Sequence, residues 1–555
     1  MTTPENVATA VGSASGLVDG FVPYAPETAA RYRAAGLFDN RPLADLLVAA
    51  AHRRAGEIAV IDATSEPHAT LTYAELLAAA DRRAAGFAAA GLRAGDRVVL
   101  QLPNSAQFAV TLLGLLRLGV APVMSLPAHR IAEIAHLAAG SGAVAYIGAD
   151  DAGGFDYRGL ATELQRRVPS VRHVFIAGDP GVHAPLPDAD DDFGPASPDP
   201  DGPALFLVSG GTTGLPKLIA RTHNDYAYNA RQSASVLELG PDDTYLVALP
   251  AAHNFPLCCP GILGVWSAGG RVVFTDNPSP DNTFDLIERY RVTVSALVPA
   301  LAQLWCAATE WEPADVSSLR LLQVGGAKLA QPDAEALDDA LGPVVQQVFG
   351  MAEGLICYTR PGDDREFVHR VQGAPMSPHD EVRVVDENGD DVPDGDEGEL
   401  LVRGPYTIRG YYRAAEHNAR SFTPDGFYRS GDRVRRLPGG YLAVTGRIKD
   451  TIVRAGENVA ADDVEEHLLA HPAIGQVAVV GLPDEALGER ICAAVVVAPG
   501  HRRDAAPDRA ALRTFLTDRG LATFKMPDQV AVVPALPVTA VGKIDKAALV
   551  ATLQP

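Results

Sequence analysis

The sequence predicts an α/β protein: a large N-terminal domain of parallel-rich sheets with helices, a β-rich subdomain, and a small α+β C-terminal domain. Ala/Leu-rich helical patterns alternate with short apolar runs over about 43–180 and again over 204–340. Short β-like pieces separated by Asp-Gly and Gly-Gly turns follow over about 380–446, and a compact mixed segment ends the chain. Helices that alternate with buried strands indicate a largely parallel sheet, whereas closely spaced turns indicate hairpins.

Domain boundaries are expected where these patterns change. We predict a loose N-terminal arm over residues 1–25, an N-terminal domain over 26–446 with its β-rich subdomain over about 380–446, and a C-terminal domain over 447–555. The whole chain carries a net charge of −22, but residues 447–555 hold 12 basic and 14 acidic side chains. A nearly neutral segment beside an acidic body is typical of a separate unit, with a boundary near Lys449.

Composition argues against several classes of protein. With 47% apolar and 21% charged residues the chain is globular, and its acidity disfavours sequence-independent binding to nucleic acid or an anionic membrane. The most apolar stretch, 108–126, is interrupted by Arg117, Gly119 and Pro122, so it predicts a buried helix running into a strand. Five cysteines without a C-x-x-C pair, and no signal-peptide pattern, favour a reducing, cytoplasmic setting.

The strongest local signal is "LFLVSGGTTGLPK" at 205–217, where an apolar strand leads into small and hydroxylated residues that end in a lysine. Backbone N–H groups of small residues can converge on an anion, hydroxyls add donors, and lysine adds positive charge. The spacing differs from the P-loop pattern, and a flexible Gly/Thr hairpin loop is the alternative. The candidate phosphate-binding residues are Ser209, Gly210, Gly211, Thr212, Thr213, Gly214 and Lys217.

Further stretches contribute candidates with less specific patterns. Glu353, in "VFGMAEG", is a carboxylate among small residues that suits a hard cation such as Mg²⁺. Asp432 follows a turn in "FYRSGD", where it can accept hydrogen bonds from ribose hydroxyls, and Lys543 follows a glycine at a predicted loop tip. Each of these three residues also has an ordinary interpretation, as a solvated acid, an aspartate in a turn or a surface lysine. The stretch "AAHNFPLCCPG" at 251–261 fits a metal site, a redox pair, part of a catalytic triad or a pocket wall.

In their order along the chain, "SGGTTGLPK", "FGMAEG", "YRSGD", "GRIKD" and "GKIDK" make the sequence resemble the adenylate-forming superfamily. This superfamily contains acyl-CoA synthetases, beetle luciferases and peptide-synthetase adenylation domains, and the resemblance covers about 40–550. Within it, "RTHNDY", "HNFPLCCPGILG", "LLQVGGAKL" and "RGPYTIRGYY" are similar to stand-alone aryl-acid adenylating enzymes. Those enzymes load salicylate or 2,3-dihydroxybenzoate onto aryl carrier proteins in siderophore or antibiotic biosynthesis.

The resemblance implies a two-step reaction. A carboxylate attacks the α-phosphate of Mg·ATP, giving an acyl-adenylate and pyrophosphate, and a phosphopantetheine thiol then takes the acyl group and releases AMP. By resemblance, Glu353 holds Mg²⁺, Lys543 bridges carboxylate and α-phosphate oxygens, and Asp432 binds the ribose with help from Arg447. The C-terminal domain is expected to rotate about Lys449 between the two steps.

The remaining nucleotide contacts are also implied by resemblance. The β- and γ-phosphates are expected to lie in the Gly/Thr loop, held by Ser209, Thr212, Thr213 and Lys217. The slot for adenine and the ring of the acid is expected to be formed by Gly325, Gly326, Ala327, Val348, Phe349 and Gly350.

The family resemblance assigns the stretch around "HNFPLCCPG" to the aryl-acid pocket, which is expected to consist of His253, Asn254, Phe255, Cys259, Gly325, Val348 and Met351. His253 is also a catalytic candidate, and Asn254 is placed near the carboxylate and the ortho substituent. Dihydroxybenzoate enzymes typically have tyrosine in place of Phe255 and serine in place of Cys259, whereas salicylate enzymes typically have that cysteine. Because a thiol is a weak hydrogen-bond partner, salicylate is the expected acid, with anthranilate-type acids left open.

The expected partners are an aryl carboxylic acid, ATP and a separate phosphopantetheinylated carrier protein, because no carrier domain follows Lys546. One alternative keeps the adenylation but uses coenzyme A as the acceptor, as in benzoate–CoA ligases. An alternative of another class is a non-catalytic protein that binds a nucleotide or an acyl-adenylate. The presence of Glu353, Asp432 and Lys543 argues against this last interpretation.

Overall fold

The computed structural model describes residues 19–190, 193–209, 216–454, 457–484, 487–501, 506–519, 521–539 and 542–554. Helices and strands alternate in this part of the chain, and the predicted fold class is confirmed. Among the described residues, every helix is too short or too polar to span a membrane.

The helices before the β-rich subdomain are α1 (Pro26–Ala34), α2 (Asp45–Arg54), α3 (Tyr73–Ala89), α4 (Ala106–Leu118), α5 (Ile131–Ser141), α6 (Tyr157–Arg167), α7 (His223–Val236), α8 (Asn254–Cys258), α9 (Gly261–Ala268), α10 (Pro280–Tyr290), α11 (Pro299–Ala308), α12 (Gln331–Leu341) and α13 (Arg365–Val368).

The largest sheet has nine strands, six of them parallel to one another. Its members are β1 (Ile58–Asp62), β2 (Ala69–Thr72), β12 (Thr244–Val247), β13 (Arg271–Phe274), β14 (Val294–Leu297), β15 (Leu321–Gly325), β16 (Val345–Gly350), β17 (Ile356–Tyr358) and β18 (Ala374–Pro375). Their order is β18-β17-β16-β15-β14-β12-β13-β1-β2, with β2, β17 and β18 antiparallel to their neighbours. Strands β12, β14 and β15 are buried along their whole length, as expected where helices cover both faces.

A second, seven-stranded sheet is also largely parallel. It contains β3 (Arg97–Gln101), β4 (Ala121–Met124), β5 (Ala145–Ala149), β8 (His173–Ala177), β9 (Ala184–Pro185), β10 (Pro203–Val208) and β11 (Leu218–Thr222) in the order β11-β10-β4-β3-β5-β8-β9. Strands β10 and β11 form an antiparallel pair at its edge. A separate two-stranded hairpin consists of β6 (Asp151–Ala152) and β7 (Phe155–Asp156).

Two smaller sheets follow along the chain. The predicted β-rich subdomain contains an antiparallel sheet of β19 (Glu381–Val385), β20 (Glu397–Arg403), β21 (Tyr428–Arg436) and β22 (Leu442–Arg447), with α14 (Ala415–Ser421) beside it. The last sheet is built from β23 (Thr451–Arg454), β24 (Glu457–Ala460), β25 (Ile474–Asp484), β26 (Gly488–Val497) and β27 (Gln529–Val532), and it packs with α15 (Ala461–Leu469), α16 (Arg509–Asp518) and α17 (Lys546–Leu553). Lys449 lies in the single 3₁₀ turn, Ile448–Asp450, that joins the two sheets.

The apolar stretch 108–126 forms the predicted buried helix and strand. The side chain of Ser105 caps α4 by accepting the Phe108 N–H, and Gly119 ends the helix in the left-handed region at φ +73°. The chain then enters β4 in the seven-stranded sheet. Since the helix is buried almost all round within the largest core cluster, it joins the two large sheets into one N-terminal body.

The prediction of a loose N-terminal arm is wrong for residues 19–25, the part of that arm that the structure describes. The Tyr24 hydroxyl donates to the backbone carbonyls of Pro405 and Thr407, at 3.0 and 2.8 Å. Its ring also packs edge-on against Tyr32, with the centroids 5.9 Å apart. An aromatic residue with a hydroxyl can anchor a short segment in this way, because both its apolar ring and its polar end find partners.

Candidate active site

The carboxyl ends of neighbouring parallel strands meet at one edge of the nine-stranded sheet. Strands β16, β15, β14 and β12 lie side by side in that order. Val298 follows β14, Gly325 ends β15, Gly350 ends β16, and β12 leads through 248–252 to His253. Ligands of open α/β sheets bind at such an edge. The structure therefore brings most of the predicted N-terminal site residues to one place.

The predicted ring slot centres on Gly325. A Cβ atom placed on Gly325 would lie 3.1 Å from Cβ of Val348 and 3.2 Å from Cε1 of Phe255. The same Cβ would lie 2.8 Å from the backbone oxygen of Val348, so only glycine fits at this position, where Val348 and Phe255 close together as the walls of the predicted slot. Met351, which was also predicted here, is half-buried and packs against the same core cluster as the two walls.

A chain of hydrogen bonds forms the polar edge of this slot. The Tyr226 hydroxyl donates to Oδ1 of Asn254 at 2.8 Å, and Nδ2 of Asn254 donates to Sγ of Cys259 at 3.4 Å. The Cys259 thiol in turn donates to the backbone carbonyl of Asn254 at 3.5 Å. Burial, reinforced by Cys258, raises the pKa of the Cys259 thiol well above its usual range. The cysteine is therefore a neutral wall residue whose proton is already engaged.

The metal and redox interpretations of "AAHNFPLCCPG" find no support among the described residues. The five cysteines are free thiols, four of them buried. No group of three or more His, Cys, Asp or Glu side chains in the described part of the chain is placed to hold a metal. The stretch forms the end of a loop and the short helix α8, which together line the slot.

His253, the catalytic candidate of this stretch, is a helix cap. Its Nδ1 accepts the Phe255 N–H at 3.3 Å, at the start of α8. Desolvation, with the nearby charge of Lys543, lowers the pKa of His253 to about 3. The imidazole is therefore neutral near pH 7, and because Nδ1 accepts, its proton is on Nε2. In this state the ring offers a hydrogen-bond donor rather than a cation or an effective base.

Lys543 enters the same site from the C-terminal segment. Lys543 was expected at a loop tip. The Thr539 N–H donates to the Lys543 carbonyl at 2.7 Å, and the Gly542 N–H donates to the Thr539 carbonyl at 2.9 Å, so the lysine lies where the chain returns to Thr539. Gly542 has φ +78°, and a Cβ placed on it would lie 3.1 Å from Cγ2 of Val298. A Cβ on Gly326 would lie 3.3 Å from Cε of Lys543. The lysine stem thus crosses directly over the two strand ends.

A carboxylate and two tyrosines form the opposite side of the site. Glu353 is 8% exposed, and its Oε1 accepts from the Tyr411 hydroxyl at 2.7 Å. The Tyr411 oxygen lies 2.9 Å from that of Tyr428. The ammonium of Lys217 lies 5.6 Å from the centre of the Tyr411 ring, within the range of a cation–π interaction. Tyr411 therefore connects the predicted metal ligand to the predicted phosphate-binding lysine.

Asp432 and Arg447 are paired beside this cluster, with Nε of Arg447 2.7 Å from Oδ1 of Asp432. Asp432 is 4% exposed, and the pairing joins neighbouring strands of the antiparallel sheet. Burial and the Arg447 charge lower the pKa of Lys543, while the charges of Asp432 and Glu353 act in the opposite direction. The charges of all three groups therefore reach the lysine.

Arg221 is a site residue that sequence reasoning did not assign. Its buried side chain pairs with Asp225 at 2.9 Å and donates to the backbone carbonyls of Ala352 and Tyr406, at 2.9 and 3.0 Å. The Ile408 N–H also donates to the carbonyl of Glu353 at 2.8 Å. These bonds fix the backbone on both sides of the Glu353 side chain.

The base of the phosphate loop is closed by two hydrogen bonds. The Ser209 N–H donates to the Lys217 carbonyl at 3.0 Å, and the Lys217 N–H donates to Oγ of Ser209 at 2.9 Å. Ala327 and Gly350 are exposed and Phe349 is half-buried around the opening of the slot. The predicted phosphate-binding residues that lie outside the described part of the chain are Gly210, Gly211, Thr212, Thr213 and Gly214.

The ends of parallel strands, completed by a lysine from a smaller C-terminal unit, form the site of an AMP-forming ligase. The chain belongs to the AMP-binding enzyme family, whose model matches residues 47–412, and the model of the AMP-binding enzyme C-terminal domain matches residues 463–543. ATP is therefore its co-substrate.

Relatives cover nearly the whole chain. The salicyl-AMP ligase / salicyl-S-ArCP synthetase of Mycobacterium tuberculosis is 54% identical over 546 residues, which is 98% of this chain and 96% of the relative. The 2,3-dihydroxybenzoate-AMP ligase of Bacillus subtilis is 48% identical over 534 residues, 96% of this chain and 97% of the relative. The apo structure of MbtA from Mycobacterium smegmatis has 54% sequence identity and a TM-score of 0.73, over 96% of this chain and 99% of that one.

Proposed function

We propose that this enzyme activates a 2-substituted aryl carboxylic acid, with salicylate favoured, and transfers it to the phosphopantetheine thiol of a separate aryl carrier protein. The observation that carries the proposal is the position of Lys543, which crosses Gly326 beside the slot between Phe255 and Val348. A cation at that point lies where a carboxylate on a ring in the slot would meet a nucleotide phosphate. The names of both relatives support an aryl acid, and the name salicyl-S-ArCP synthetase of one of them supports the carrier protein.

In the first step the acid's carboxylate oxygen forms a bond to the α-phosphorus of ATP, and the bond from that phosphorus to the pyrophosphate oxygen breaks. Both reactants are anions, so charge neutralisation and positioning are the main tasks of the protein. Lys543 supplies the positive charge between them, and the neutral His253 supplies an Nε2–H donor near the carboxylate. Asp432 accepts hydrogen bonds from the ribose hydroxyls while its other interaction, with Arg447, holds it in place.

Glu353 fits the role of a magnesium ligand. Its Oε1 accepts a hydrogen bond from the Tyr411 hydroxyl, whereas its Oε2 has no donor among the described residues. Mg²⁺ is commonly held by one or two carboxylates together with substrate phosphates. When bound, the cation would neutralise phosphate charge on ATP, and Arg221 would keep the backbone around Glu353 fixed.

The second step requires Lys543 to leave. The lysine stem occupies the space above Gly326 and Val298, so a thiol approaching the acyl carbonyl from this side would meet it. We propose that the C-terminal unit rotates at Lys449, whose position in a single turn between two sheets suits a hinge. The thiol sulfur then bonds to the acyl carbon, the bond from that carbon to the AMP oxygen breaks, and the thiol proton is lost to solvent.

The polar edge of the slot supports salicylate as the preferred acid. The Cys259 proton is engaged by the Asn254 carbonyl, and Phe255 offers no hydroxyl. A 3-hydroxyl on the substrate would therefore meet weak partners, at a cost of roughly 1–3 kcal/mol. Five free cysteines also support the proposal that the enzyme works in the cytoplasm.

ATP–pyrophosphate exchange tests the proposal, with salicylate, anthranilate, 3-hydroxyanthranilate, benzoate and 2,3-dihydroxybenzoate as substrates. Salicylate should give the highest kcat/KM. Transfer is then measured to a phosphopantetheinylated carrier protein and, separately, to coenzyme A. Exchange at background with every acid would favour a non-catalytic nucleotide-binding protein, and faster transfer to coenzyme A would favour an aryl-CoA ligase.

A further inference from the structure

Tyr226 is a buried residue to which the proposed reaction gives no part. It is 0% exposed within α7, and its hydroxyl donates to Oδ1 of Asn254 at 2.8 Å. The guanidinium of Arg221 lies 4.8 Å from the centre of its ring, and Arg221 is itself held by Asp225. The ring is therefore held against the guanidinium, while the hydroxyl, which donates to Asn254, also lies beside the Cys258 thiol.

The two ends of the Asn254 amide have a single consistent assignment. Burial raises the pKa of Tyr226 well above its usual range, so the phenol keeps its proton and donates to Oδ1. At the other end, the Cys259 thiol donates its proton to the backbone carbonyl of Asn254, so toward the side-chain amide its sulfur can only accept, from Nδ2. A reversed amide would place its oxygen against the sulfur lone pairs and its NH₂ against the phenol. Tyr226 and Cys259 thus agree on the orientation of the amide.

This orientation leaves a donor available to the pocket. Nδ2 carries two hydrogens, and within the described part of the chain its only hydrogen-bond acceptor is Sγ of Cys259. Asn254 precedes Phe255, a wall of the predicted slot, and is buried with it. In the proposed function its second N–H is the donor that a substituent on the bound ring would meet.

We propose that Tyr226 is a positioning residue that fixes the Asn254 amide with its N–H toward the ortho substituent, so that the enzyme selects an ortho oxygen over an ortho amine. The inference rests on the proposed function. A phenol or phenolate oxygen accepts a hydrogen bond, and the phenol proton can be donated to the neighbouring carboxylate. An aromatic amine delocalises its lone pair into the ring and presents mainly N–H groups, so two donors would face each other.

The test is the Tyr226→Phe variant, measured by ATP–pyrophosphate exchange with salicylate and with anthranilate. Without the phenol, only the weak contact with the Cys259 sulfur holds the amide, so the amide can turn by 180° more easily and accept from an amine. We expect the ratio of kcat/KM for salicylate over anthranilate to fall about tenfold or more, which corresponds to one lost hydrogen bond. The matched control is Tyr228→Phe, because Tyr228 lies on the same helix but its hydroxyl contacts Oγ of Ser377 at 2.7 Å. That control should keep the wild-type ratio.

An unchanged ratio in a folded Tyr226→Phe variant, with a Tm near that of the wild type, would overturn the inference. If the variant does not fold, the wild-type enzyme is tested with anthranilate and benzoate. We expect anthranilate to be no better a substrate than benzoate. A wild-type kcat/KM for anthranilate several-fold above that for benzoate would overturn the inference. Background exchange by the wild type with every acid is a different outcome, because it would remove the proposed function and this inference with it.

Discussion

Replacement of Lys543 by alanine should separate the two half-reactions. The lysine reaches the site only through the turn at Gly542, which lies against Val298, and its stem crosses Gly326. Its charge therefore acts only while the C-terminal unit is in the orientation seen here. The variant should lose adenylation but keep transfer from a preformed aryl-adenylate, because that step needs the lysine to be absent.

The size of the loss follows from the environment of the ammonium. Lys543 is half-buried, and the charges of Arg447, Asp432 and Glu353 all act on it, so water screens it only in part. Two unit charges about 4 Å apart interact by about 4 kcal/mol at an effective dielectric constant of about 20. If most of that energy is present only in the transition state, kcat/KM for adenylation falls by about 10³-fold.

Two assays measure the two steps. ATP–pyrophosphate exchange reports adenylation, and a single-turnover reaction of synthetic salicyl-adenylate with a phosphopantetheinylated carrier protein reports transfer. Lys525→Ala is a suitable control, because this lysine belongs to the same C-terminal segment but pairs with Asp463. The control should retain both activities. Equal losses in the two half-reactions of Lys543→Ala would refute the role assigned to the lysine.

The same lysine should set an alkaline limit on adenylation. Burial and Arg447 lower the pKa of Lys543 from its ordinary value, and only the protonated form neutralises the two anions. Activity should therefore be complete at pH values below that lowered pKa and fall as pH rises through it. This fall at alkaline pH should be missing from the pH profile of the residual activity of Lys543→Ala. If the profile of the variant keeps the same shape, the fall belongs to another group.

Three further substitutions have defined expectations. Cys259→Ser replaces a weak partner with a hydroxyl and should raise kcat/KM for 2,3-dihydroxybenzoate relative to salicylate roughly fivefold or more; an unchanged ratio would refute the proposal that Cys259 meets the 3-position of the bound ring. Tyr411→Phe removes the bond to Glu353 and should weaken the apparent Mg²⁺ affinity about tenfold in a magnesium titration, whereas an unchanged titration would separate Tyr411 from the metal site. Asp432→Asn should raise KM for ATP roughly 10- to 100-fold with little change in KM for the acid, since it disturbs the Arg447 pair and the ribose acceptor; parallel changes in both KM values would contradict that role.

Local patterns predicted much of the architecture, because those elements are specified by their own residues. The run 108–126 contains its glycine stop and its strand, and its helix cap, Ser105, lies just before it, so periodicity and composition were enough. The Asp-Gly and Gly-Gly turns similarly located the antiparallel sheet of Glu381–Arg447. The glycine before Lys543 also indicated a change of chain direction there, since Gly542 has φ +78° and its N–H donates to the Thr539 carbonyl.

The residues that support the site could not be found in this way, because their partners are distant in sequence. Tyr411 meets Glu353 across 58 positions, and Arg221 meets Ala352 across 131. A weak signal was available at 222–225, where threonine and aspartate form a capping box that fixes Asp225 for its pairing with Arg221. A sequence motif shows that such residues occur together, but only the fold shows which carboxylate or carbonyl each one contacts.

The burial of Cys258 and Cys259 also has a consequence for the chemical safety of the enzyme. An aryl-adenylate is an acylating agent made to react with thiols, and Cys259 belongs to the pocket proposed to hold its ring. Only a thiolate attacks efficiently, and burial raises the pKa of Cys258 to about 12 and that of Cys259 well above its usual range. Burial of the two thiols therefore protects the enzyme from acylation by its own product. A change that exposed them to water would lower their pKa and allow the aryl-adenylate to acylate them.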